Sequence, residues 1–582
     1  MTRLFTLNKY FLRYKGKMSL GILFILISDF TQVYIPLVLK DSIDLLKSNI
    51  SINLVIRYAL IIFGLAVISG IFRYMIRQTI IVVSRKIEFD IRQDFWTHLL
   101  KLSHRYFQNT STGNIMAHAT NDISAVRMYV GPAIMYSIDT SVKFIIVIIV
   151  MLSISPILTV YTLIPLPILS YFVYKLSKKI HKKFTLIQEK FSDITTMAQE
   201  NFSGIRIIKS YVREIFEIEK FAKESSEYRK RNMEKIKIQA LFMPLLFLIT
   251  GTSIILLILV GGNMIIEGKL TLGDVAAFMF YLGLLIWPTI AFGWVANIIQ
   301  QADASLKRLQ KIYDEQIEIK ENSETNSSIN QIGGTIKFEN VTFKYKDDLP
   351  EVLKNISLEV PQGSTLAIVG HTGVGKTSFV NLISRLFDVS SGKILIDGHD
   401  IKTIPLNVLR NNIGMVPQET FLFSETLKNN ILYGVEDPNA EVLEKVAEIS
   451  QLSKDVNDFP QKFETILGER GITLSGGQKQ RTCLARALAI NPKILILDDS
   501  FSAVDTKTEE EILVNLKDFM KNRTSIIISH RISTVKDADN IIVLENGVIK
   551  EHGNHQQLLE IGGIYYDIYY KQLLEEELER EI

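Results

Sequence analysis

Cysteine is almost missing from this chain: its 582 residues include one, Cys483. That excludes a disulfide framework and fits a reducing compartment for at least the part around it. An excess of either charge is missing too. Sixty-five Lys and Arg stand against 62 Asp and Glu, a formal net charge of +3. There is no global polyanion signal, and no nucleic-acid partner is expected. Acids are absent from the first stretch, "MTRLFTLNKYFLRYKGK", which carries Arg3, Lys9, Arg13, Lys15 and Lys17. What is plentiful is apolar sequence. A mean hydropathy of +0.19 is high for a soluble protein.

The apolar residues cluster before about residue 315. The clearest runs are "MSLGILFILISDFTQVYIPLVL" from Met18, "LVIRYALIIFGLAVISGIF" from Leu54 and "FIIVIIVMLSISPILTVYTLIPLPILSYFVY" from Phe144. Two more are "ALFMPLLFLITGTSIILLILVGG" from Ala240 and "VAAFMFYLGLLIWPTIAFGWVA" from Val275. A bilayer core of ~30 Å needs ~20 mostly apolar residues in helix. The third run is too long for one span. "SISP", Ser153 to Pro156, supplies a turn inside it, and a span beginning near Tyr129 ends there. Six spans result. The alternative, buried core helices of a soluble protein, fits six runs of this length poorly. The first run is too long for a signal-peptide h-region and lacks a small-residue cleavage site, so it reads as an uncleaved span. The positive-inside rule keeps the basic N-terminus cytoplasmic, and an even span number returns the C-terminus there. The expected location is the cytoplasmic membrane, crossed several times.

The links after spans one, three and five are short. Those after spans two and four run about 45 and 65 residues, with charged and apolar residues mixed at helical spacing. They predict helices continuing far into the cytoplasm. "QIEIKENSETNSSINQIGG", Gln316 to Gly334, is polar, Ser/Asn-rich and aromatic-free, and reads as a linker. From Thr335 short apolar runs alternate with amphipathic stretches, the α/β signature. The expected organisation is multidomain. An all-α six-helix transmembrane domain covers 1–315, a linker 316–334, and an α/β P-loop NTPase domain 335–582.

"TLAIVGHTGVGKTSFVNLISRLF" sets Gly370, Gly375, Lys376 and Thr377 in G-x-x-x-x-G-K-[ST] spacing, after an apolar strand and before a helix. Glycines let backbone N–H groups cradle phosphates. The lysine reaches the β/γ-phosphates and the hydroxyl ligates Mg²⁺. The following helix points its positive end at the anion. Such a loop needs a carboxylate on a neighbouring strand end. "ILILD" supplies Asp498, though an acid capping a strand-to-loop turn is the plainer reading of that residue alone. In "TLSGGQKQR", Ser475, Gly476 and Gly477 before a helix form another anion nest. With one P-loop per chain, a second phosphate-contacting surface points to a site completed by another chain, although "SGG" is also a common loop.

In combination these features resemble an ATP-binding cassette half-transporter of the exporter type, over nearly the whole chain. The resemblance makes "GHTGVGKTS" the Walker A segment: Gly370, His371, Thr372, Gly373, Val374, Gly375, Lys376, Thr377 and Ser378. It implies that Tyr345 stacks on adenine and that Gln418 in "GMVPQETFLF" is the Q-loop residue touching Mg²⁺. Glu469 would lie in the exporter-type loop, Ser475, Gly476, Gly477 and Gln478 in the signature, and Ser502 to Asp505 in the D-loop. His530 would sense the γ-phosphate. Read bare, Tyr345 and His530 would be ordinary structural residues. The resemblance also implies head-to-tail pairing, with ATP between one chain's Walker A and the other's signature. Coupling segments would lie at Ser111–Asp122 and Met197–Tyr211.

One position departs from the pattern. Hydrolytically competent members place Glu after the Walker B Asp; here that residue is Asp499. The group must accept a hydrogen bond from the attacking water. Asp is one methylene shorter, and a misplacement of about 1 Å can cost on the order of 10²-fold. Backbone adjustment is the alternative. Among the resembling exporters an Asp here marks one subunit of a heterodimer, so a second half-transporter is the expected partner, with a heterodimer favoured over a homodimer. The family default for the cargo is an amphipathic drug or lipid. A peptide exporter, a slow ATP-binding gating subunit and a soluble ATPase with a membrane anchor remain the alternatives. Among polar residues of the spans, Asp139 and Lys143 are expected to pair. Asp29 and Gln32 have no obvious partner and are candidates for facing a cavity. Phe242, Phe247, Tyr281, Trp287 and Trp294 are candidate cavity aromatics, and Pro244 and Pro288 candidate kinks.

Overall fold

The computed structural model describes residues 6–48, 52–321 and 323–580; Arg3 of the basic N-terminus lies outside them. The chain divides into two compact units, Met1–Leu100 with Thr112–Glu315, and Lys101–Ser111 with Gln316–Ile582.

The first unit contains six helices long and apolar enough to cross a membrane: α1 (Lys15–Leu45), α2 (Ile52–Leu99), α3 (Thr112–Ile154), α4 (Pro156–Ser203), α5 (Glu214–Ile266) and α6 (Leu272–Tyr313). The six-span reading is therefore borne out. At 1.5 Å per residue the 53 residues of α5 extend about 80 Å, far more than a ~30 Å hydrocarbon core. The helix ends follow local chemistry. Ser155 caps α4, its Oγ accepting the Leu158 N–H over 3.3 Å, with Pro156 in the first helical position. Thr271 and Asp274 form a reciprocal capping box at the start of α6. Pro244 cannot supply the N–H that the Ala240 carbonyl would receive, and α5 breaks its regular winding at Leu241. Pro288 sits inside an unbroken helix. Three π-helical turns interrupt α2 and α3, at Arg77–Ile81, His118–Asp122 and Tyr129–Ala133.

Two expectations about the spans are corrected. Asp29 is fully buried and paired, 3.0 Å from Lys143 Nζ on α3. Sequence adjacency could not reveal a partner on another helix. Lys143 also keeps its predicted neighbour Asp139, at 3.3 Å. Tyr281 lines no cavity. It is buried in the helical core, donating its hydroxyl to the Val33 carbonyl over 2.9 Å. Phe247, Trp287 and Trp294 are exposed within the chain.

The second unit carries two sheets. One is antiparallel, of order β2-β1-β4-β5, from β1 (Ile336–Phe343), β2 (Leu353–Val360), β4 (Ser391–Ile396) and β5 (His399–Asp400). The other has order β10-β9-β3-β8-β7-β6. Its strands are β3 (Thr365–Val369), β6 (Ile413–Val416), β7 (Ile494–Asp498), β8 (Thr524–Ile528), β9 (Asn540–Glu545) and β10 (Val548–Gly553). All its pairs are parallel except β9 with β10. β7 and β8 are buried at every position, which is why they read as unbroken apolar runs. The fold expected for each half is thus the fold observed.

The segment 316–334 has no helix or strand, yet it is held. The Leu406 N–H donates to Glu321, Asn326 N–H to the Thr403 carbonyl, and the Gly333 and Gly334 N–H groups to Asp397. A short helix, His104–Asn109, belongs to this unit, with the His104 ring 5.6 Å from Phe387 and Arg105 3.2 Å from Glu318. Of the segment Ser111–Asp122, only Ser111 lies in the nucleotide-binding unit, so the stretch that joins it is mostly upstream of the one expected. Met197–Tyr211 lies wholly in the first unit, with Phe202, Ile207 and Tyr211 exposed.

Candidate functional site

The loop between β3 and helix α7 (Lys376–Ile383) needs its glycines for stated reasons. A Cβ on Gly370 would fall 2.4 Å from the Leu544 carbonyl oxygen, and Gly375 enters α7 at φ +105°. Lys376 is buried. Its Nζ donates to the carbonyls of Gly370 (2.7 Å) and His371 (3.0 Å). Burial lowers its pKa, and the charges of Asp499 and Asp498 partly oppose that.

Asp498 closes β7 and is buried. Thr377 hydrogen-bonds to it, while its Oδ2 has no hydrogen-bond partner among the described residues. Burial raises its pKa, Asp499 adds to the rise, and Thr377 and Lys376 counter it. Asp499 turns the chain out of the strand in a left-handed conformation, φ +50°, its N–H donating to the Ile528 carbonyl over 2.9 Å. Asp tolerates that conformation better than most residues. His530 follows β8. Burial and then the Lys376 charge hold its pKa below the ordinary histidine value.

These groups meet in one cleft of about 330 Å³. It is lined by Tyr345, Thr372, Gly373, Gly375, Lys376, Thr377, Ser378, Gln418, Asp498, Asp499 and His530. Gly370, His371 and Val374 belong to the loop but do not line the cleft. Val352 and Ile528 do line it; they are apolar strand-flanking residues that no pattern marks. Tyr345 bonds Ser378 Oγ over 2.8 Å and packs edge-on against Phe343 and Phe387. A glycine-bearing loop, a helix N-terminus, a buried ammonium and a carboxylate oxygen without a partner suit a polyphosphate with a divalent cation.

Ser475, Gly476, Gly477 and Gln478 lie elsewhere. They open helix α8 (Gly476–Ala489) as a capping box, with Ser475 Oγ accepting from Gln478 N–H and Gln478 Oε1 from Ser475 N–H. Gln478 also donates to Asp455 over 2.8 Å. A Cβ on Gly477 would stand 2.9 Å from the Ala503 carbonyl oxygen. Two residues escape sequence reasoning. Gln480 ties α8 to the turn after β7, donating to Ser502 Oγ and accepting from Ala503 N–H, both at 2.8 Å. Gln572, on helix α9 (Ile564–Arg580), accepts the Ile532 N–H over 2.8 Å and donates to the His530 carbonyl. No local pattern announces either.

Six apolar helices and a P-loop cleft on a mostly parallel sheet define a membrane protein with a nucleotide-hydrolysing motor. Family models described as "ABC transporter transmembrane region" and "ABC transporter" match residues 18–289 and 353–502. The chain is 36% identical to the multidrug resistance-like ATP-binding protein MdlA of Buchnera aphidicola (Schizaphis graminum strain), over 99% of this chain and 100% of that one. It is 35% identical to the probable multidrug resistance ABC transporter ATP-binding/permease protein YheI of Bacillus subtilis, over 97% and 96%. A solved bacterial Atm1-family ABC exporter with ATP bound superposes with a TM-score of 0.79 at 27% identity, over 96% and 99%. The chain belongs to the ABC transporter family. It is a multi-pass membrane exporter of the multidrug type, with an ATPase domain coupled to transport.

Proposed function

We propose that this half-transporter exports amphipathic small molecules, drugs or lipids, from the cytoplasmic membrane as one subunit of a heterodimer. The observation that carries the reading is the cleft that gathers Lys376, Thr377, Gln418, Asp498, Asp499 and His530 but not the signature. A signature outside its own chain's cleft has use only against another chain's nucleotide.

In this reading Tyr345 faces adenine, and Gly370 to Ser378 hold the phosphates, with Lys376 exchanging its loop carbonyls for β/γ-oxygens. Thr377, Gln418 and Asp498 would hold Mg²⁺, and the partnerless Asp498 oxygen fits it. Bound there, the ion would supply neutralisation of phosphate charge. Asp499 accepts from the attacking water and His530 faces the γ-phosphate. Asp499 is short for its task, so this chain's own cleft turns over slowly, and its signature completes a faster cleft on the partner. The exposed apolar residues Phe202, Ile207 and Tyr211 at the end of α4, and the nearly bare spanning part of α2, support a second chain. The basic N-terminus supports cytoplasmic termini.

ATP-dependent uptake of an amphipathic dye into inside-out vesicles tests the proposal. Uptake should require the partner chain and stop when hydrolysis is blocked. Uphill uptake with hydrolysis blocked would refute an ATP-driven pump. Slow ATP binding with no dye movement under any condition would favour a gating subunit instead.

A further inference from the structure

The membrane helices hold a polar cluster that the ATP site leaves unexplained. Across α1, α2 and α3, Ser28 Oγ contacts Ser69 Oγ at 3.3 Å, Gln32 donates to Ser69 over 2.9 Å, and Arg73 donates to Gln32 over 3.0 Å. Deeper in, Lys143 is held between Asp29 and Asp139. Beside this network lies a cleft of about 300 Å³, lined by Arg73, Arg77 and Asp139 together with Tyr74, Met135 and Tyr136.

The charges do not cancel. The two carboxylates share Lys143, whereas Arg73 and Arg77 have no carboxylate within ion-pair distance among the described residues. From Leu54 to Arg73 the helix rises about 28 Å, so Arg73 reaches the inner edge of a ~30 Å hydrocarbon core. An arginine at that depth faces a cavity or a counter-charge. Snorkelling alone does not account for Arg73, whose guanidinium is turned to Gln32. Arg77 opens the π-helical turn Arg77–Ile81, which shifts the side chains after it relative to regular winding. One wall of the cleft is thus cationic at headgroup depth, and another is aromatic and apolar.

We propose that this cleft binds the headgroup of an anionic amphiphile, its phosphate or carboxylate taken by Arg73 and Arg77 and its tail laid along Tyr74, Met135 and Tyr136. Guanidinium pairs suit these groups because they donate in a fork. The inference rests on the exporter reading and names the class of its cargo.

Trp287 and Trp294 lie 6.4 and 5.3 Å from the Tyr136 ring, so tryptophan fluorescence reports on the site. The test uses the full-length protein in its isolated assembly, in neutral phosphatidylcholine nanodiscs without ATP. Decyl phosphate, decyltrimethylammonium and decyl maltoside are titrated below micelle-forming concentrations. Decyl phosphate should half-saturate at a concentration at least ~10-fold lower than the other two. Arg73→Gln with Arg77→Gln should erase that preference, and Arg73→Lys with Arg77→Lys should keep most of it. Equal affinities in the unaltered protein, or a preference surviving in the glutamine variant, would overturn the proposal. Displacement of decyl phosphate by an equal concentration of inorganic phosphate would also overturn it, since the site would then read a free anion. Failure of the exporter reading shows differently, as no ATP-dependent dye movement whatever the titration gives.

Discussion

The Lys143 ammonium lies 3.0 Å from the Asp29 carboxylate on a neighbouring helix, and both are buried. With Asp139 at 3.3 Å the same lysine serves two acids. Removing one member of a buried ion pair costs far more than never having built it. Lys143→Met should therefore destabilise the protein by about 3–5 kcal/mol, seen as a lower midpoint of thermal unfolding. Adding Asp29→Leu should return a good part of that loss, a coupling that a double-mutant cycle measures directly.

Asp498 carries a different kind of strain. Its carboxylate is buried, one oxygen has no partner, and its pKa is raised. A raised carboxylate pKa makes the charged form costly to the folded state at neutral pH. Asp498→Asn should thus raise the nucleotide-free unfolding midpoint by a few degrees, on the order of 1 kcal/mol. The same variant should lose the extra stabilisation that Mg²⁺ adds on top of ATP. Calorimetry with and without the metal separates the two effects.

His530 gives a pH dependence of definite sign. Burial and Lys376 lower its folded-state pKa, so the unfolded chain binds the proton more readily. Its contribution to stability is fully present above the ordinary value of 6.5 and is lost as pH falls from there through the folded value. Side-chain NMR should find His530 titrating below 6.5, and His530→Gln should flatten stability over that window.

At the start of α8, Gly477 has no room for a methyl group, since a Cβ would stand 2.9 Å from the Ala503 carbonyl oxygen. Gly477→Ala should push the turn 502–505 away from α8. Hydrolysis by the two-chain assembly should fall at least ~10-fold. ATP affinity measured at this chain's own cleft should be unchanged, because the cleft does not include Gly477.

Much of this was legible in the residues, for physical reasons. Spans declare themselves by length, and a P-loop by spacing that only one geometry requires. "SISP" and "TLGD" gave their helix starts because caps are local chemistry. What escaped depends on contacts distant in sequence. Asp29 looked partnerless because Lys143 is 114 positions away. Tyr281 looked like a cavity aromatic because nothing beside it shows the Val33 carbonyl that buries its hydroxyl. Gln480 and Gln572 hold the turns around Asp499 and His530 from neighbouring helices, and a glutamine carries no spacing signal of its own.

The central claim is that Asp499 makes this chain's own ATP site slow. Steady-state ATP hydrolysis by the purified chain without its partner, compared with its Asp499→Glu variant, tests it most directly. The account predicts a slow unaltered chain and a variant faster by about ten- to a hundredfold. Brisk hydrolysis by the unaltered chain alone, with no gain from the longer acid, would contradict it.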